Sequence, residues 1–170
     1  MLLTINATDA LDRLAEFDTL IDARSESEYA LDRLPGAVNW PSLTDAQRIV
    51  VGTEYVQQSP FLAKKRGAAL VARNIADHID RWLADKPREW QPLVYCWRGG
   101  QRSGAFTHIL REVGWSAKRL QGGYKSWRHH VIEQLGVVPT DLRFTVVAGP
   151  TGSAKTRVLE ALQRQGQQVL

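Results

Sequence analysis

The sequence predicts an α/β protein with a central parallel sheet flanked by helices, and three observations carry that prediction. Short apolar runs with strand character alternate with longer stretches whose apolar residues recur at helical spacing. The chain has 170 residues of ordinary globular composition, enough for one domain with a real core and part of a second. It holds no internal repeat, no low-complexity tract and no apolar run near the ~20 residues of a membrane span.

The elements follow in order. Thr19-Leu20-Ile21-Asp22 reads as a strand ending in a turn at Asp22-Ala23-Arg24. Ser25 followed by Glu28 has capping-box spacing and opens a brief helix from Glu26 to Asp32. Pro35-Gly36 is a turn, and Ala37 to Trp40 a second short strand stopped by Pro41. From Pro60 to Asp85, Leu62, Ala69, Leu70, Ala72, Ile75, Ile79 and Leu83 recur with helical period, so one long or broken amphipathic helix is expected, ended by Pro87. A strand over Leu93 to Cys96, a helix from Arg102 to Val113 and a strand over Ala117 to Leu120 come next. Gly122-Gly123 breaks the chain before a helix from Tyr124 to Leu135. Arg143 to Ala148 reads as a strand, Arg157 to Gln165 as a helix, and the last residues as the start of another strand.

Composition narrows the setting. One cysteine makes no internal disulfide, and the N-terminus turns acidic without a basic start and apolar core, so a cytoplasmic protein without a signal peptide is expected. The net charge of +4 is unevenly spread. Residues 1–59 carry 4 Lys/Arg against 10 Asp/Glu, whereas residues 60–130 carry 14 against 5. A basic middle segment suits an anionic partner such as RNA or a phosphate, and equally a set of solvated helix faces.

The single thiol lies in "YCWRGGQRSG", residues 95–104. In a parallel sheet, ligands bind where strand carboxyl ends lead into helix N-termini. Cys96 would stand there, with Gly99 and Gly100 letting backbone N–H groups turn inward as an anion nest. Arg98, Arg102 and the following helix N-terminus would favour thiolate, making Cys96 a nucleophile rather than a buried small hydrophobe. Trp97, Gln101 and Ser103 complete the candidate anion-binding or chalcogen-binding loop. The Cys96-x5-Arg102 spacing is shared by cysteine phosphatases, and rhodanese-type sulfur carriers use a similar loop. The loop alone leaves both open.

Longer stretches carry a resemblance. "LIDARSESEYALDRLPGAVNWP" and "GWSAKRLQGGYKSWR" are similar to the opening and closing segments of rhodanese domains. "VGTEYVQQSPFLAKKRGAALVARNIADHI", "YCWRGGQRSG" and a downstream "GPTGSAKT" together resemble the bacterial tRNA 2-selenouridine synthase family, a rhodanese domain fused to a P-loop domain. The resemblance implies a rhodanese-like domain over residues 1–137 and the beginning of a P-loop domain over 138–170. It implies an enzyme that replaces the sulfur of 2-thiouridine, at the wobble position of certain tRNAs, with selenium from selenophosphate. Geranylation of that sulfur by geranyl diphosphate would make it a better leaving group. No tightly bound cofactor and no metal are implied. The basic residues Lys64, Lys65, Arg66 and Arg73 would meet the tRNA backbone, and Trp97 would stack on a splayed base or pack as an ordinary loop aromatic.

In the second motif, Gly149, Gly152, Lys155 and Thr156 are the candidate phosphate-binding residues of a P-loop between a strand and a helix. Ala154 stands where that pattern calls for glycine. His78, His108, His129 and His130 have no metal-ligand spacing with the cysteine, and Asp22, Arg24 and Glu28 read as structural. Three functions remain: the tRNA-modifying selenotransferase, a simple sulfurtransferase, and a non-catalytic module that binds RNA or a partner. A cysteine phosphatase would need a general acid over the loop, and the sequence offers no clear candidate.

Overall fold

The structure, a computed structural model describing residues 4–137 and 143–169, begins with β1 (Thr4–Ile5), α1 (Ala7–Asp12), β2 (Thr19–Asp22), α2 (Glu26–Leu31), β3 (Val38–Asn39) and α3 (Asp45–Gln57). It continues through α4 (Pro60–His78), β4 (Pro92–Tyr95), α5 (Gln101–Val113), β5 (Lys118–Leu120), α6 (Gly123–Leu135) and α7 (Lys155–Arg164). Five strands make one sheet in the order β1-β5-β4-β2-β3, and every pair is parallel. This is the α/β sheet that the strand–helix alternation predicts.

Alternation along the central strands sorts their side chains onto two cores. Leu20, Leu93, Tyr95 and Leu120 join Ala10, Tyr124 and Trp127, from α1 and α6, on one face. Ile21, Val94, Cys96 and Ala117 join Ile75, Phe106 and Leu110, from α4 and α5, on the other. The predicted helix over 60–85 is α4 followed by one wider π turn, Ile79–Leu83. Ser59 caps α4 by accepting from the Phe61 N–H at 3.3 Å, with Pro60 in its first turn.

Three elements, β1, α1 and α3, have no counterpart in the sequence reading. The edge strand β1 has two residues, too few to show a period. Helix α3 did carry a signal, since Thr44 and Gln47 form a capping box: Gln47 Oε1 accepts from the Thr44 N–H at 3.0 Å.

The chain divides into two compact units, Met1–Gln134 and Leu135–Leu170. The expected domain boundary at 137/138 falls against residues 138–142, which lie outside the described residues. In the second unit the expected strand over Arg143 to Ala148 does not form, nor is there a strand at 167–169. A strand is defined by its ladder, and none of the described residues offers these segments a neighbour to bond. Phe144 and Val146 are correspondingly exposed. With Val147, Leu159, Leu162 and Val169, and with Arg143 and Gln168 among its polar residues, they line an open groove of about 590 Å³.

His78 closes the α4 side of the core. Its ring stacks between Trp40 and Phe106, at 6.3 and 5.9 Å, and Nε2 lies 3.1 Å from the Pro41 carbonyl. Burial pushes its pKa below the ordinary 6.5, and this outweighs the Pro41 hydrogen bond that pulls it up. The unfolded chain therefore binds the proton more readily, and stability is lost as pH falls below about 6.5. Urea titrations near pH 7.5 and 5.5 are expected to show a drop in midpoint that is smaller in His78→Phe.

Candidate active site

The topology places Cys96 at a switch point. β2 leads through α2 to β3 on one side, and β4 leads through α5 to β5 on the other. The loops after β2 and β4 thus diverge and leave a crevice at the strand carboxyl ends. Cys96 follows β4 directly, on the α4/α5 side of the sheet, and is 3% exposed.

The loop after Cys96 is held by close backbone packing. Gly99 has φ +63°, and a Cβ there would stand 2.6 Å from the Leu120 carbonyl oxygen. Gly123 has φ +60°, and its Cβ would stand 2.1 Å from the Cys96 carbonyl oxygen. Only glycine permits this approach. It lets the first amides of α6 tie the loop down: Tyr124 N–H donates to the Cys96 carbonyl at 2.9 Å, and Lys125 N–H to that of Trp97 at 3.0 Å.

The Cys96 sulfur lies 3.1 Å from Ser103 Oγ, which is itself 3.4 Å from the Gly100 carbonyl oxygen. A hydroxyl has one proton and two lone pairs, so the pair serves both states of the sulfur. A thiol donates to Ser103, which donates to Gly100; a thiolate instead accepts a hydrogen bond from the Ser103 hydroxyl. Ser103→Ala removes that donor and is expected to slow Cys96 alkylation by iodoacetamide at neutral pH by about three- to tenfold. Parallel alkylation rates of the wild type and the variant at one neutral pH check this.

The arginines are arranged differently from the sequence expectation. Arg102 does not turn its charge freely to the sulfur. Its Nη1 and Nη2 donate to Glu28 Oε2 and Oε1, at 2.7 and 3.3 Å. Glu28 also pairs with Arg48 at 3.1 Å and accepts from the Ser25 N–H at 3.2 Å. Burial raises the Glu28 pKa, but the Arg102 hydrogen bond and charge, with Ser25 and Arg48, hold it below the usual carboxylate range. β2–β4 pairing brings these groups together across 74 residues, which no local spacing reveals. Two donors of the guanidinium fork face Glu28, leaving three for another acceptor. Arg98, Gly100 and Gln101 are exposed on the loop.

Behind the loop, Arg24 is buried and bonds Asp22 through Nη2 to Oδ2 at 2.6 Å, so the structural reading of that pair holds. The Arg24 guanidinium lies 4.1 Å from the Tyr124 ring centroid. Tyr124 donates its hydroxyl proton to Asp32, and its ring stacks on Trp97 with centroids 5.5 Å apart and planes at 28°. Trp97 remains 39% exposed.

Beside the loop, α3, α4 and α5 enclose a mainly apolar groove of about 660 Å³. Val51, Tyr55, Ala63, Val71 and Ala105 form its walls, with Lys64, Gln101 and Arg102 at the polar edge. The four basic residues singled out in the sequence do not share one surface. Lys64 lines this groove, whereas Arg66 and Arg73 line another cleft with Val50 and Leu70. Arg66 is paired with Glu54 at 3.1 Å, and Lys65 is exposed on α4.

In the second unit, Gly149, Gly152, Lys155 and Thr156 lie on the turn that opens α7. Lys155 Nζ donates to the Gly149 and Pro150 carbonyls, both at 2.8 Å, and folds back on its own loop. Ala154 sits in the left-handed region at φ +61°, which is where glycine would be free of strain.

Comparison with known proteins agrees with this architecture. A family model described as a rhodanese-like domain matches residues 6–130. The tRNA 2-selenouridine synthase of Nitrosomonas europaea is 37% identical over 153 residues, covering 89% of this chain and 40% of that protein. The one from Chromohalobacter salexigens is 39% identical over 147 residues, covering 84% and 40%. The chain thus spans about two fifths of the length of these curated relatives. Among solved structures, the N-terminal domain of a Clostridium difficile 630 protein described as ATP/GTP binding superposes with a TM-score of 0.63 at 32% identity, over 76% of this chain and 98% of that one. A rhodanese-related protein from Thermoplasma volcanium, 18% identical with a TM-score of 0.50 over 76% and 93%, shares the fold.

Proposed function

The chain belongs to the rhodanese-like domain family, and on that footing we propose that it is the Cys96-bearing part of a tRNA 2-selenouridine synthase. The observation that carries the reading is the site itself. A lone thiol stands at the switch point of the sheet, held by Ser103, beside both an exposed aromatic and an apolar groove with a basic edge.

The chemistry follows from these neighbours. The thiocarbonyl sulfur of a wobble 2-thiouridine attacks the first carbon of geranyl diphosphate; an S–C bond forms and diphosphate leaves. The geranyl chain lies along Val51, Tyr55, Val71 and Ala105, with Lys64 and the remaining Arg102 donors facing the diphosphate. The Cys96 thiolate then adds to C2 of the pyrimidine, and geranylthiolate leaves. Water takes the phosphoryl group of selenophosphate, and the hydroselenide released displaces Cys96 from C2. Every step exchanges a nucleophile for a leaving group, so no oxidant or reductant is consumed. Cys96 is the active thiol, no tightly bound cofactor is needed, and the setting is cytoplasmic.

The test is a nucleoside analysis by liquid chromatography and mass spectrometry after incubating the protein with thiolated tRNA, geranyl diphosphate and selenophosphate. 2-Selenouridine, absent with Cys96→Ser, is the expected product. Persulfide formation from thiosulfate without any change in the tRNA would favour the simple sulfurtransferase instead.

A further inference from the structure

The geometry points to Trp97 as a stacking platform for a flat nucleobase, and we propose that it seats the pyrimidine whose C2 meets Cys96; this rests on the RNA reading above. Trp97 stacks on a ring that is itself held in place. Its centroid lies 5.5 Å from that of Tyr124, and the Arg24 guanidinium carbon lies 4.1 Å from the same Tyr124 centroid. Both of these neighbours are fixed. Arg24 is locked on Asp22, while Tyr124 is tied by its hydroxyl to Asp32 and by its N–H to the Cys96 carbonyl. Trp97 is therefore held on one face by a fixed ring and still exposes 39% of its surface.

An exposed tryptophan with a braced inner face offers its outer face to another aromatic plane at little ordering cost. Its backbone is fixed too, because the Lys125 N–H holds the Trp97 carbonyl at 3.0 Å. One peptide unit separates it from Cys96, so a base on its outer face is held against the loop that carries the thiol. The charges fit a nucleotide rather than an apolar peptide. Arg98 and Lys125 flank the platform, both exposed and neither in an ion pair among the described residues. Base–aromatic stacking tolerates any base, so Trp97 supplies affinity and placement, and recognition of sulfur falls to other groups.

The experiment titrates the chain with synthetic anticodon stem-loops bearing 2-thiouridine or uridine at the wobble position, for the wild type, Trp97→Leu and Trp97→Phe. Cys96 alkylation by iodoacetamide is followed in parallel as a check on the loop. The expected result is a loss of affinity of about ten- to a hundredfold in Trp97→Leu. Trp97→Phe should recover most of it, with alkylation rates unchanged. Quenching of tryptophan fluorescence on binding should also be smaller in both variants. If the wild type binds and Trp97→Leu binds equally well, the platform is refuted while the RNA reading stands. If the wild type binds neither stem-loop, the RNA reading falls and the platform with it. Equal losses in Trp97→Leu and Trp97→Phe, with altered alkylation, would mean that Trp97 only shapes the loop.

Discussion

Gly123→Ala is expected to lower stability by at least about 3 kcal/mol and to displace the loop that carries Cys96. Two costs combine. A left-handed conformation strains any residue with a Cβ by about 1–2 kcal/mol, and Gly123 has φ +60°. The new Cβ would also stand 2.1 Å from the Cys96 carbonyl oxygen and 2.5 Å from the Gly99 nitrogen. Both are backbone atoms, so no side-chain rotation relieves the contact. Moving them breaks the Tyr124 N–H bond to Cys96 and the Lys125 N–H bond to Trp97. Gly36→Ala separates the two costs. It has φ +75° with nothing within 4 Å of its Cβ, so only the strain of about 1 kcal/mol should appear. Urea unfolding of both variants, with Cys96 alkylation as a second readout, checks the contrast.

Arg24→Leu should have a comparable effect by an electrostatic route. Asp22 is fully buried and Arg24 is 1% exposed, with Nη2 shared between Asp22 Oδ2 and the Asp32 carbonyl, both at 2.6 Å. Removing the guanidinium leaves a buried carboxylate with the backbone N–H of residue 24 as its remaining partner from that residue, 2.9 Å away. Breaking such a pair typically costs about 3–5 kcal/mol. The double variant Asp22→Asn/Arg24→Leu removes the stranded charge and should regain part of the loss in urea midpoint. Non-additivity of this kind is the signature of a coupled pair. The same substitution takes the cation from the Tyr124 ring, on which Trp97 stacks.

The middle of the sheet was legible because β4 is buried along its whole length, and burial on two faces writes a continuous apolar run, Pro92 to Tyr95, into the sequence. The position of Cys96 was legible for the same reason, since a strand followed by Gly-Gly and a helix has one place for its last residue. Contacts across the chain left no such trace. Arg102 meets Glu28 and Trp97 meets Tyr124 only because the strands that carry their loops lie side by side. Spacing therefore suggested a free arginine near the sulfur where the structure has a paired one. Arg143 to Ala148 shows the converse case. Its composition favours a strand, but β-structure needs a neighbour, and among the described residues it has none. Lys64, Arg66 and Arg73 all lie on α4, yet the helical turn divides them between two clefts.

The account rests on Cys96 being the nucleophile that adds to C2 of a thiolated pyrimidine. Intact-protein mass spectrometry after incubation with an anticodon stem-loop bearing S-geranylated 2-thiouridine, beside a Cys96→Ser control, tests this directly. The thiolate would form an S–C bond to C2 and release geranylthiolate. The predicted result is a gain of the stem-loop mass less geranylthiol in the wild type, absent from the control and lost when hydroselenide is added. No adduct in the wild type, or the same adduct in Cys96→Ser, would contradict it.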